Sequence, residues 1–345
     1  MTRWAVVLAG GVGSRFWPLS TQKRPKQLLP LVGKEPMLVE QLKRLRPIVA
    51  PARTLILTNA SLVNTIRRTV PGIPRSNIIA EPTPAGTAAA LAWAAKEIQE
   101  RDSPDATMIS VHADWAIGDA AGFRDALVTA ATAAEEHHSI VTVGIVPTRA
   151  DPGFGYIEPG QQVSPGVRRV VRFVEKPTRE RAAEMRDRGY LWNSGIFAWR
   201  VGAFLEEVAE HSPEIGPALA KHGKSRQKFF SAVKKPIAVD HAVLERSTRV
   251  LVVDGDFAWD DVGTWGALLR VRRHDDGKNA FSGNVHALDA ANNVVHAEGQ
   301  QVVLYGVSDL VVVAKDGLTL VTTVDRSADL KTLVESLPAK FRDHT

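Results

Sequence analysis

At 345 residues, 44% hydrophobic and 23% charged, the chain is long enough for one large domain plus a small one, with an ordinary globular mix. The absence of cysteine excludes disulfides and thiolate metal centres, and no apolar run reaches the roughly eighteen residues a membrane span needs. The net charge of +5 is spread over pairs such as Arg67-Arg68 and Arg168-Arg169, which favours small anionic substrates over nucleic acid. The N-terminus has no signal-peptide layout, so a cytoplasmic protein is expected.

Residues 4–9 read as a continuous apolar strand, suited to burial on both faces of a parallel sheet. Gly10-Gly11-Val12-Gly13-Ser14-Arg15 follows, and then Arg24-Pro25-Lys26-Gln27. Glycines let the backbone turn tightly and aim N–H groups at phosphate oxygens, while Arg15 and Lys26 add two cations. This is not a P-loop, which needs Lys and Ser/Thr after its last glycine. Nor is it a dinucleotide fingerprint, because Phe16 stands where the third small residue belongs. The loop reads as a polyphosphate site.

A helix is expected over 37–45, a strand over 53–58, a helix over 61–70 capped by Ser61, and a strand over 77–80 ended by Glu81-Pro82. An Ala-rich helix over 87–99, a strand over 107–111, a helix over 123–136 and a strand over 139–146 continue the alternation. That alternation calls for an α/β fold: a Rossmann-like, mostly parallel sheet with helices on both faces. From Asp151 the pattern changes to paired strands near 154–158 and 170–174, helices near 204–219, and a basic surface stretch over 224–235. Strands return at 249–253 and 256–259. Beyond about Asn279 short strands and a last helix over 330–337 form a small C-terminal β-rich domain, with no strict repeat to mark a full β-helix. The expected domains are 1–278, with halves of about 1–150 and 151–278, and 279–345.

The stretch from Leu8 to Pro30 resembles the signature of the sugar-1-phosphate nucleotidyltransferases. Later segments match in family order: Asp114 in His112-Ala113-Asp114-Trp115, Glu175-Lys176-Pro177, Asn193-Ser194-Gly195, and Asp261 in Trp259-Asp260-Asp261-Val262-Gly263. The resemblance implies joining a nucleoside triphosphate to a sugar 1-phosphate with release of diphosphate. That chemistry needs positioning, cations and a divalent metal rather than covalent intermediates. The Pro-Leu-Ser and Pro-Lys-Gln forms imply GTP and mannose 1-phosphate as substrates, and a homodimer is the expected assembly.

Residue by residue, the resemblance implies that Leu8, Gly10, Gly11, Gly13, Ser14, Arg15, Lys26, Glu81, Gly86, Thr87 and Asp114 hold the nucleotide. Arg15, Lys26, Asp114 and Asp261 carry catalysis, and Asp114 and Asp261 bind Mg²⁺ or Mn²⁺. Asp260 is a neighbour of opposite facing. Gly155, Glu175, Lys176 and Asn193 hold the sugar phosphate. Glu81 is placed to accept the paired N–H donors of guanine. The family's usual Arg-Asn-Thr-Ala is Ala85-Gly86-Thr87-Ala88 here, which departs from the expected ribose and base contacts. Trp192, Trp199 and Trp265 could stack on sugar or pack the core, and His112, His137 and His138 read as structural. Two alternatives stay open: the same chemistry on another sugar or nucleotide, and a regulatory subunit that binds sugar nucleotides without turnover. The second should lack Lys26 or a metal aspartate. The chain ends before a fused isomerase half would fit, so isomerase activity is not expected.

Overall fold

The structure, a computed structural model, describes residues 1–11 and 14–342. Its strands in chain order are β1 (Arg3–Leu8), β2 (Thr54–Asn59), β3 (Ile78–Glu81), β4 (Thr107–His112), β5 (Ala116–Ile117), β6 (Ile140–Ile145), β7 (Tyr156–Ser164) and β8 (Val167–Val174). They continue with β9 (Leu191–Arg200), β10 (Val250–Gly255), β11 (Trp259–Asp260), β12 (Ala280–Leu288), β13 (Val294–Tyr305), β14 (Leu310–Lys315) and β15 (Leu318–Thr323). Two compact units interleave along the chain. The first takes Met1–Gly10, Lys43–Ala113 and Asp119–Phe257; the second takes Gly11–Leu42, Asp114–Gly118 and the chain from Ala258 on.

The first unit is built on one sheet of order β3-β2-β1-β4-β9-β6-β10-β8-β7. β1 pairs in parallel with β2 and β4, β2 with β3, and β6 with β10, as strands joined through helices must. Trp4, Val6 and Leu8 enter one core with the alanines of helix Gly86–Arg101 and with Phe197 and Trp199. The alternate residues Ala5 and Val7 are also buried, and helix Ala120–His137 packs on β4, β6, β9 and β10. Helices on both faces are therefore present, as the alternation predicts. Small alanines let the helix Gly86–Arg101 lie close to the strands.

Three local expectations are corrected. The central strand β9 runs antiparallel between β4 and β6, where the sequence reading placed only a sugar-binding segment. Asn193-Ser194-Gly195 interrupts its apolar run, and the sheet accommodates this with a register shift opposite Val143 and Gly144. Ser61 does not cap a helix; it sits inside a 3-10 turn, Ala60–Leu62, ahead of helix Val63–Thr69. The basic stretch at 224–235 is not all surface, because Phe229 and Phe230 are fully buried, stacking and tilting against Trp93.

In the second unit β5 and β11 form an antiparallel ribbon that sets Trp259 opposite Ile117 and Asp260 opposite Ala116. Phe16, Trp17, Leu19, Leu29 and Leu31 pack with Trp265 and with Val294, Val311 and Val313 of the β-rich tail. The Trp265 indole N–H donates to the Trp17 carbonyl at 3.2 Å. The segment after the glycines is thus anchored by late residues of the chain.

The tail itself is a short solenoid. β12, β13 and β14 pair in parallel although each follows the last after a brief corner, and β15 closes the sheet antiparallel. Each corner repeats a conformation rather than a residue. Lys278, Asn292 and Asp309, which precede the aligned Ala280, Val294 and Val311, have φ of 57°, 56° and 58°. Two buried amides link the corners. Asn279 Nδ2 donates to Ala290 O, Asn279 Oδ1 accepts from Asn293, and Asn293 Oδ1 accepts from Leu310 N. Coil lengths differ, since Ala280 pairs with Val294 and Val294 with Val311, so no fixed sequence period exists to find.

Candidate active site

In the second unit, Lys26 opens a 3-10 turn, Lys26–Leu28, after Pro25, and only 6% of its surface is exposed. Its ammonium donates to Asp114 Oδ2 at 2.8 Å and to the Asp261 carbonyl at 2.7 Å, and lies 6.0 Å from the Phe16 ring centre. The sequence predicts a cation facing phosphate; in the fold that cation is tied to a carboxylate. Arg15, in the turn Ser14–Phe16, is exposed. Gly11 has open space where a Cβ would point. Gly13 lies outside the described residues, and of Ser14 only the backbone is described.

Asp114 follows β4 by two residues and leads into β5, and the ribbon to β11 brings in the Asp260-Asp261 pair. The two aspartates part company there. Asp260 is buried in a fork with Arg270 (2.7 and 3.1 Å) and accepts the Val262 N–H, so it fixes the loop. Asp261 caps the Gly263 N–H at 3.2 Å. Burial first, and then the neighbouring Asp260, push the Asp261 carboxyl above the usual carboxylate range, with Lys26 and Arg270 pulling the other way. Such an anion is stabilised by an added cation. The loop holds two residues, Ala258 (φ 51°) and β-branched Val262 (φ 48°), in the left-handed region, a strain that clusters at working sites. Among the described residues no group of three or more His, Asp or Glu gathers as a metal centre. Asp114 and Asp261 are two carboxylates, the number magnesium takes when phosphates and waters complete its shell, so they could hold such an ion.

In the first unit, Leu8 ends β1, its carbonyl accepting the Ala113 N–H. The Gly10 carbonyl accepts from Asn59 Nδ2 at 2.8 Å, and a Cβ there would sit 3.6 Å from Glu81 Oε1. Glu81 pairs with Asn59 in register at the end of β3. Burial pushes its carboxyl up to about 7. Gly86 starts its helix at φ 84°, with the place of a Cβ 2.2 Å from the Ile237 carbonyl. The family's asparagine could stand there only if the 237 backbone shifted away from its Cβ. Thr87 Oγ1 accepts the Val239 N–H at 3.0 Å, so its hydroxyl serves the fold.

The residues expected to hold the sugar phosphate gather in this same unit. Gly155 O accepts the Asn193 N–H at 2.8 Å, and a Cβ on Gly155 would lie 2.7 Å from Glu175 Oε2. Lys176 is exposed, at φ 41°, with its ammonium 2.6 Å from Glu175 Oε1. Asn193 donates to Asp240 Oδ1 at 2.7 Å. Burial raises the Asp240 carboxyl and Glu175 adds to it, against the Asn193 hydrogen bond and the charge of His112. Sequence reading gave Asp240 no role, although the family resemblance extends over Ala238-Val239-Asp240, and it read His112 as structural or surface. No local spacing links Asp240 to Asn193. Trp192, Trp199 and Trp265 are all fully buried and pack the core.

Comparison with known proteins agrees with this assembly of parts. The family model described as "Nucleotidyl transferase" matches residues 4–277, and that of the "MannoseP isomerase/GMP-like beta-helix domain" matches 283–337. Mannose-1-phosphate guanylyltransferase of Escherichia coli is 36% identical, over 98% of this chain and 74% of its own length. Xanthan biosynthesis protein XanB of Xanthomonas campestris is 36% identical over 98% and 73%. A solved structure described as mannose-1-phosphate geranyltransferase from Thermus thermophilus shares 35% identity at a TM-score of 0.89, covering 97% of this chain and 99% of that one. The chain belongs to the nucleotidyl transferase family, with the β-helix domain of its mannose-phosphate branch at the C-terminal end.

Proposed function

We propose that the protein catalyses GTP + α-D-mannose 1-phosphate → GDP-mannose + diphosphate. The observation that carries the reading is the set of relatives named mannose-1-phosphate guanylyltransferase at 33–36% identity over nearly the whole chain. A phosphate oxygen of the sugar ester attacks the α-phosphorus of GTP in line. The new O–P bond forms as the bond to the β-phosphate oxygen breaks, and diphosphate leaves with that electron pair. Two anions must be brought together, so the protein's task is charge neutralisation and alignment.

In this reading Lys26 and Arg15 neutralise the triphosphate beside Gly10, Gly11, Gly13 and Ser14. Asp114 and Asp261 would hold Mg²⁺ or Mn²⁺, which when bound supplies a Lewis acid for the phosphate oxygens. Glu81 accepts the guanine N1–H and N2–H. Glu175 and Asn193 take sugar hydroxyls, and Lys176 the sugar phosphate. Residues 1–278 make up the catalytic domain and 279–345 the small β domain, acting in a cytoplasmic homodimer. A non-catalytic binding subunit is not favoured, because Lys26, Asp114 and Asp261 are all retained.

The test is diphosphate release across the four nucleoside triphosphates, with mannose, glucose and other hexose 1-phosphates as acceptors. GTP with mannose 1-phosphate is expected to give the highest kcat/KM. Faster turnover of another pair, or none with any, would remove the assignment.

A further inference from the structure

Asn193 is fixed at three points. Its backbone N–H goes to the Gly155 carbonyl, its Oδ1 accepts the Gly195 N–H at 3.3 Å, and its Nδ2 donates to Asp240 Oδ1 at 2.7 Å. Asp240 Oδ1 accepts the Asn193 Nδ2–H, and that bond sets which end of the amide faces Asp240. The Gly195 bond is long and weak by comparison. One amide hydrogen of Asn193 then remains for a ligand.

Asp240 is itself placed by the first turn of a distant helix. The Ala88 N–H donates to Ile237 O, the Val239 N–H donates to Thr87 Oγ1, and Gly86 admits the 237 backbone at a distance no side chain would allow. Segment 237–240 therefore joins the Gly86-Thr87 turn to Asn193 through a continuous set of hydrogen bonds. Asp240 is half-buried, and an acidic side chain drawn out of water is costly unless it has a partner, which Asn193 provides.

We infer that Asp240 is a positioning residue that holds the Asn193 amide so that it meets the sugar phosphate as a hydrogen-bond donor. The inference rests on the sugar site of the proposed function. A hexose or phosphate oxygen accepts the remaining amide hydrogen; with Asp240 gone, the amide can turn and present its carbonyl to the same oxygen.

The test is titration calorimetry of mannose 1-phosphate on the full chain, beside steady-state turnover with GTP. D240A should weaken mannose 1-phosphate binding roughly tenfold, the worth of one hydrogen bond to a charged group, with the KM for GTP unchanged. D240N keeps one acceptor oxygen and should fall between. The double variant N193D/D240N restores a bond between the two positions with donor and acceptor exchanged. Its thermal midpoint should recover, but binding should stay weak, because position 193 now offers only acceptors. If the double variant recovers binding together with stability, or D240A binds within twofold of the parent, the inference is overturned. A parent that binds mannose 1-phosphate but turns over another nucleotide faster would overturn the guanine assignment and leave the Asp240 result standing. A parent that does not bind it at all removes both.

Discussion

The Lys26 ammonium and an Asp114 carboxylate oxygen lie 2.8 Å apart, with the ammonium almost wholly out of water. The pair neutralises itself. Under the proposed function, its positive charge becomes available to a phosphate when Asp114 turns to a metal ion, so metal and triphosphate binding are expected to support each other.

Lys26→Gln should cut diphosphate release by roughly a hundredfold or more, the scale of losing one preorganised charge-stabilising group. The melting temperature should change little, because Asp114 is partly exposed and can be solvated. A steady-state assay beside a thermal melt checks both, and near-normal turnover would take Lys26 out of the mechanism.

Chelating divalent cations should abolish turnover and also weaken GTP binding, since Lys26 then stays paired with Asp114. The fold should be unaffected. Fluorescence titration of GTP with and without a chelator reads this directly, and unchanged affinity would contradict the exchange of partners.

Asp261→Asn and Asp260→Asn should fail in different ways. The first should shift or abolish the metal dependence of turnover with little loss of stability. The second breaks the fork to Arg270 and should cost about 2 kcal/mol, the range for hydrogen bonds to charged groups. Denaturant melts and metal titrations of both variants separate the roles; equal metal curves for Asp261→Asn and the parent would refute the ligand assignment.

Under the proposed function, Glu81 links selectivity to pH. Its carboxyl holds a proton up to about 7 in the folded protein, against an ordinary 4.5, so the folded state binds more protons between those values. Stability must therefore fall as pH rises through that window and level off above it. Glu81→Gln should melt higher than the parent at pH 8 and equally at pH 4, while losing preference for GTP over ATP. In the parent, GTP should bind more tightly as pH rises through 7. A flat GTP affinity profile would mean that other atoms read the base.

Gly86→Asn, which restores the residue common in the family, should destabilise the protein by roughly 2 kcal/mol or more, the scale of a forced overlap in a packed region. The Ile237 carbonyl stands 2.2 Å from the new Cβ. A melt at or above the parent's would show that segment 237–240 can withdraw.

Much of this was legible because chemistry and spacing coincide near the strand ends. β1, the glycines, Glu81 closing β3 and Asp114 after β4 follow from apolar runs and the residues that stop them. Strand β9 was hidden, since Asn193-Ser194-Gly195 breaks the period on which strand reading depends. The Asp240–Asn193 bond spans distant segments, and no local pattern announces it. Phe229 and Phe230 were masked by the lysines around them. The left-handed backbone at Ala258 and Val262 runs against the preference of both residue types, so only the fold reveals it.

The corners of the C-terminal coils store their likeness in torsion angles and in two amide side chains instead of in a recurring word of sequence. Insertions on the far side of a coil leave those angles and amides in place. A coil can therefore lengthen or shorten without disturbing its corner, whereas loss of Asn279 or Asn293 would unpin two neighbouring corners at once.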